Sequence, residues 1–145
     1  MKKIILAVIA LLSIGMASAQ FTVENKQSTP ELVFKSPLGG HQRLYAIQQA
    51  NGEYYFFIAI ATTNQFDDKL IVHLGKIDKT KATLLQLIND LYSQGSVYNL
   101  SDDRGEPFTL ECVAFNEYRL SKKGCAGVAY LSISNVSRML ERLNE

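Results

Sequence analysis

Apolar residues follow three rhythms along this chain. An apolar run from Ile4 to Gly15, broken only by Ser13, comes first. Alternation takes over next: Arg43 to Ala50 and Glu53 to Thr62 flank Asn51-Gly52. Alternation over such lengths predicts strands, and Asn-Gly between them predicts a hairpin with a two-residue type I′ turn. That turn sets Ala50 against Glu53, Ile47 against Phe56 and Tyr45 against Ile58. Tyr45, Ile47, Tyr54, Phe56, Ile58 and Ile60 then share one face. Leu44, Ala46, Tyr55, Phe57, Ala59 and Ala61 share the other. Both faces are largely apolar, which predicts a strand covered on both sides.

The third rhythm is helical. Leu84, Leu87, Ile88, Leu91 and Tyr92 recur at helical spacing, after Asp78 or Thr80 as N-cap and before Gly95 as stop. Val136, Met139, Leu140 and Leu143 form a second stripe, capped by Ser134. Further strands are predicted at Glu31 to Lys35, Lys69 to Leu74 and Val97 to Leu100. Phe108 to Leu120 reads as one long strand whose period breaks near Asn116. It turns through Lys122-Lys123-Gly124 into a partner strand, Cys125 to Ile133. The whole predicts an α+β fold: an antiparallel sheet of five or six strands with two helices packed on one face. Lys69 to Leu91 echoes Gly127 to Leu143 in order of elements. That echo fits either a duplication or one local device used twice.

The first run has the marks of an export signal, residues 1–19. Lys2 and Lys3 precede it, and Ala17-Ser18-Ala19 supplies small residues at a cleavage point. The run is short of the roughly 20 apolar residues a spanning helix needs. No cysteine stands at Gln20 to carry a lipid. Residues 20–145 are thus expected as a single secreted domain, periplasmic or extracellular, with no membrane span after cleavage. Loss of Lys2 and Lys3 lowers the 15 basic residues to 13, against 14 acidic ones. No basic block is left to release counterions, which argues against nucleic acid as a partner. Tryptophan is absent, which argues mildly against a sugar-stacking site.

Candidate chemistry is sparse. Cys112 and Cys125 are the only cysteines, and an oxidising compartment favours a bridge worth about 3 kcal/mol. The predicted hairpin opposes it. With Cys125 facing Leu120 and Cys112 facing Ile133, the sulfurs stand roughly 25 Å apart at about 3.3 Å per residue. Bridge and register exclude each other. Cys125 follows two lysines and lies between Gly124 and Gly127, so a thiol enzyme would use it with His41 or His73 as base. Two histidines and two cysteines make no zinc spacing, and His73 reads as a half-buried strand residue. Asp67-Asp68 and Asp102-Asp103 with Glu106 lack the alternating oxygen pattern of a calcium loop. No metal and no cofactor are expected. The aromatic strand is either core on both faces or leaves one face exposed as a contact surface. Tyr45, Tyr54 and Tyr55 are the candidate residues of that surface, and since they straddle both faces they cannot all belong to it. Two functional classes follow: a non-enzymatic binding or structural module of the bacterial envelope, with a protein or envelope-component partner, or a small envelope hydrolase or thiol enzyme built on Cys125.

Overall fold

A computed structural model describes residues 28–37, 39–63 and 69–145. The export signal and Asp67-Asp68 lie outside the described residues. Four strands come first: β1 (Glu31–Lys35), β2 (Gln42–Gln48), β3 (Tyr54–Ala61) and β4 (Lys69–Lys76). Helix α1 (Ile77–Asn89) follows. The same order then repeats with β5 (Val97–Ser101), β6 (Pro107–Val113), β7 (Glu117–Ser121), β8 (Ala129–Ser132) and α2 (Ile133–Leu143).

The fold is α+β, but its strands form two antiparallel sheets of four, β1-β2-β3-β4 and β5-β6-β7-β8, rather than one of five or six. The sheets divide between β4 and β5, where α1 intervenes, and one strand is added at Ala114 to Asn116. Phe115 and Asn116 take φ of 66° and 56°, which turns the chain and sets Val113 against Glu117. The predicted long strand is therefore two strands. Among the described residues the sheets are joined by the bridge Thr62 to Ala129, with the Thr63 N–H donating to Val128 O at 2.8 Å, and by Ser132 N donating to Gln42 Oε1 at 3.1 Å.

The β2–β3 turn also departs from expectation. Gln49 N donates to Glu53 O at 2.7 Å and Gly52 N to Gln49 O at 2.9 Å. Only Gly52 among the loop residues has positive φ, at 88°. This is a three-residue loop, a type I turn closed by a left-handed glycine. Asn51 stays out of the left-handed region and spends its side chain locally, Oδ1 accepting from Glu53 N at 2.9 Å. The extra loop residue slips the register by one, pairing Tyr45 with Phe57 and Ile47 with Tyr55. A slip of one inverts one strand relative to the other. Leu44, Ala46, Phe56, Ile58 and Ile60 thereby come together as buried core.

Both helices begin earlier than their sequence caps suggest. Lys76 is the N-cap of α1 and its side chain caps nothing. Thr80 sits fully buried inside the first turn, its hydroxyl donating to Gly75 O at 3.1 Å. Asp90 ends α1, so Leu91 and Tyr92 lie beyond it. Ser132, two residues before the expected cap, accepts from Asn135 N at 3.2 Å. α1 packs on β3, β4 and α2, while α2 packs on β1 and β8. Tyrosines tie α1 and the segment just past it to the second sheet: the Tyr118 hydroxyl donates to Leu87 O, and the Tyr98 hydroxyl to Leu91 O at 2.9 Å. On α2, Arg142 donates to Val33 O at 2.9 Å and lies over the Phe34 ring. One cluster of buried residues runs through both sheets and both helices, from Leu44 and Ile58 to Leu131, Val136 and Met139.

Candidate functional site

A pocket of about 170 Å³ opens where α1 passes from the first sheet to the second. Its floor is apolar by strand alternation. Ile58, Ile60, Val72 and Leu74 face it from the first sheet, and Leu100, Phe108, Leu110, Leu120 and Leu131 from the second. α1 supplies Leu87, with Leu91 just past its end. Its rim is polar. Lys79, Thr83 and Gln86 stand four and three residues apart and therefore share one side of α1. Ser101, the last residue of β5, and Asp103, in the β5–β6 loop, face them. Lys79 Nζ and Asp103 Oδ1 are 2.6 Å apart, a pair that spans the rim. Gly75 makes room for it: at φ 94°, a Cβ here would stand 2.9 Å from the Asp103 carboxylate.

Beside the rim, the β5–β6 loop closes the free edge of β4. A sheet edge presents unpaired N–H and C=O groups that need partners. His73 N donates to Asp102 Oδ2 at 3.1 Å, and Asp103 N donates to His73 O at 2.8 Å. Lys122 Nζ donates to Ile71 O at 2.8 Å and also reaches Glu106. The Asp102 side chain has no solvent exposure. Burial works to raise its pKa, but N–H donors from His73, Glu106 and Arg104, with Lys122, outweigh burial and hold it below the usual carboxylate value. Burial depresses the His73 pKa first, and the Arg104 cation adds to that. Asp102 and Glu106 pull the other way, and Lys122 again depresses it.

His73, Asp102 and Glu106 each offer one ligand atom within 4.8 Å of the others. Sequence spacing alone had not joined them: His73 reaches this loop because β4 and β5–β6 meet at the edge. Lys122 already supplies a cation there, and Asp102 spends both oxygens on backbone N–H groups. The cluster works as a latch between the two halves of the chain.

The outer face of the first sheet carries an aromatic row. Tyr45 stacks on Phe57 at 5.2 Å between centroids, and Phe57 meets the His73 ring at 5.9 Å. Arg43 reaches the Tyr45 hydroxyl at 3.2 Å. Tyr55, opposite Ile47, is on this face. Tyr54 is not: the register slip puts it on the other face, exposed at the hairpin end beside Ile77. Tyr45 and Tyr55 are thus together, where the type I′ register had separated them.

Both cysteines are free. Cys112 pairs with Tyr118, and Leu120 with Ala129, in place of the expected partners. Cys112 is buried beneath the end of α1, its Sγ 3.5 Å from Leu91 O. Cys125 lies in the β7–β8 turn, four residues past Ser121, and Ser121 pairs with Thr109. Cys112 is three residues from that rung, roughly 10 Å at about 3.3 Å per residue. A bridge needs Cα atoms within about 7 Å. Cys125 N donates to Lys122 O at 3.0 Å, and among the described residues neither thiol hydrogen-bonds a histidine. His41 is exposed between β1 and β2.

The pocket was illegible in the sequence because its lining comes from six strands and a helix, each reading as ordinary core. Thr83 and Gln86 carried the one available signal: two polar residues on the side of α1 that also bears Leu87. Comparison with family models, with curated proteins and with solved structures finds no significant match for this chain.

Proposed function

We propose that this protein is an exported, non-enzymatic binding module that takes a small apolar molecule into the pocket beneath α1. The pocket itself carries the reading. Concave apolar sites with a few convergent polar groups are the usual form of ligand sites. About 170 Å³ compares with the roughly 150 Å³ engineered cavity in another protein that stays dry and binds benzene. The occupant is therefore a compact body of about ring size. Export rests on the leading lysines, the apolar run and Ala17-Ser18-Ala19.

Methyl-resolved NMR with benzene as probe tests this. Saturable shifts at Leu87, Leu110 and Leu120 methyls, lost in Val72→Phe, support it. No saturable shift in the wild-type protein refutes it, whether or not Val72→Phe folds.

A second contact surface is the outer aromatic face, favoured by the Tyr45–Phe57–His73 row. Tyr45 and Tyr55 would touch a protein or envelope-component partner there, and Tyr54 would not. Co-purification from an envelope extract, lost in a Tyr45→Ala, Tyr55→Ala double variant and kept in Tyr54→Ala, tests that assignment. Equal retention by both variants overturns it.

A further inference from the structure

We infer that the pocket selects a neutral ligand with one hydrogen-bonding head, a small alcohol or amide rather than an acid or an amine. This rests on the pocket being a ligand site, and it follows from how the rim's polar groups are committed. The two charges at the mouth, Lys79 and Asp103, satisfy each other at 2.6 Å. Asp102 also lines the pocket, but its carboxylate is already bound by three backbone N–H groups. An anionic head must therefore displace Asp103 from Lys79 or lie beside its carboxylate. A cationic head must displace Lys79 or lie beside its ammonium. Either one breaks a short ion pair or meets a like charge.

Thr83, Gln86 and Ser101 are different. All three line the pocket. Thr83 is half-buried and Gln86 and Ser101 are exposed, and among the described residues their side chains have no hydrogen-bond or ion-pair partner within the protein, so a ligand head competes there with water alone. Two hydroxyls and a primary amide each offer a donor and an acceptor. Such a set matches a head that both donates and accepts and carries no charge. The ligand would lie along α1, its apolar body toward Leu87 and Leu91 and its head toward Thr83.

Four probes of nearly one size test this at pH 7: toluene, benzyl alcohol, benzoate and benzylammonium, with affinities from NMR titration of the full chain. The expected order puts benzyl alcohol at least tenfold tighter than either ion and severalfold tighter than toluene, the gain of about one hydrogen bond. Thr83→Val, close in shape and lacking the hydroxyl, should reduce the alcohol's advantage over toluene and leave toluene unchanged. Benzoate or benzylammonium binding as tightly as the alcohol overturns the neutral-head inference while the pocket stands as a ligand site. Binding of toluene and the alcohol with equal affinity also overturns it. Failure of all four probes overturns the pocket reading and this inference with it.

Discussion

Asp102 carries more structural duty than any other single polar side chain described, so its removal makes a demanding test. The carboxylate accepts from His73 N at 3.1 Å and from Arg104 N and Glu106 N at 2.9 Å each. Lys122, only 13% exposed at its side chain, stands 4.0 Å away. Hydrogen bonds to a charged group contribute about 1.5–3 kcal/mol each, but the three do not add. Arg104 and Glu106 are exposed loop residues whose N–H groups can turn to water. The His73 N–H belongs to β4 and cannot. Two of the three donors sit on exposed loop residues that solvent screens, so the low end of each range applies. Asp102→Ala should cost about 3 kcal/mol. Asp102→Asn keeps one acceptor for the loop but faces an amide donor toward His73 N or toward the loop, and should cost about 2 kcal/mol. Urea unfolding followed by far-UV circular dichroism measures both, since the chain has no tryptophan. Acid supplies the control. The folded pKa of Asp102 is depressed. Its contribution is therefore complete above the unfolded value near 3.9 and is lost as pH falls through the folded one. The gap between wild type and Asp102→Asn should be full at pH 7 and shrink in strong acid. A gap below about 0.5 kcal/mol at pH 7, or one that widens on acidification, would refute this account of the latch.

Three further outcomes follow from the same geometry. His73 has a depressed folded pKa, so the unfolded chain binds more protons just below about pH 6.5 and stability should fall as pH drops through that window; His73→Gln should flatten the stability–pH curve there. Gly75→Ala places a Cβ 2.9 Å from the Asp103 carboxylate at φ 94° and should cost about 2 kcal/mol in chemical denaturation, part of it recovered when Asp103→Ala is added. Without reductant, iodoacetamide should label one thiol in the native protein, the partly exposed Cys125, and two after unfolding, because Cys112 is 1% exposed and neither is bridged; intact mass reads the count, and an unlabelled unfolded chain would contradict it.

How much was legible beforehand divides along physical lines. Helical stripes and strand runs were readable because burial imposes their periods: Leu84 and Leu87, or Val136 and Met139, are buried where the spacing put them. Register was not readable, because it hung on one loop residue. Asn51-Gly52 suits two turns, and the choice between them rests on whether Asn51 enters the left-handed region or stays out, with its side chain bonded to Glu53 N. That choice moved Tyr54 off the face of Tyr45. The split at Phe115-Asn116 was half-readable: the period broke there, but a bulky aromatic at positive φ is uncommon and argues against a turn. The echo between halves was visible in element order and invisible in identity, since the equivalent first-turn positions hold Thr80 and Val136, both fully buried.

The β5–β6 loop serves both the sheet edge and the pocket rim. Asp102 and Asp103 are sequence neighbours with different tasks: Asp102 seals the edge of β4, and Asp103 pairs with Lys79 across the pocket rim. Neither task was apparent from the pair itself, which resembles a solvated turn. Both arise because β4 is an edge strand that must be covered, and what covers it is a loop of the other half. The cover is polar on its sheet side and sits above a void that the two apolar sheets and α1 do not fill. A protein that needed only stability would close that void with larger side chains, for empty space costs packing contacts. Here the mouth is lined instead by the half-buried Thr83 and the exposed Gln86 and Ser101, which is the arrangement the proposed binding function requires.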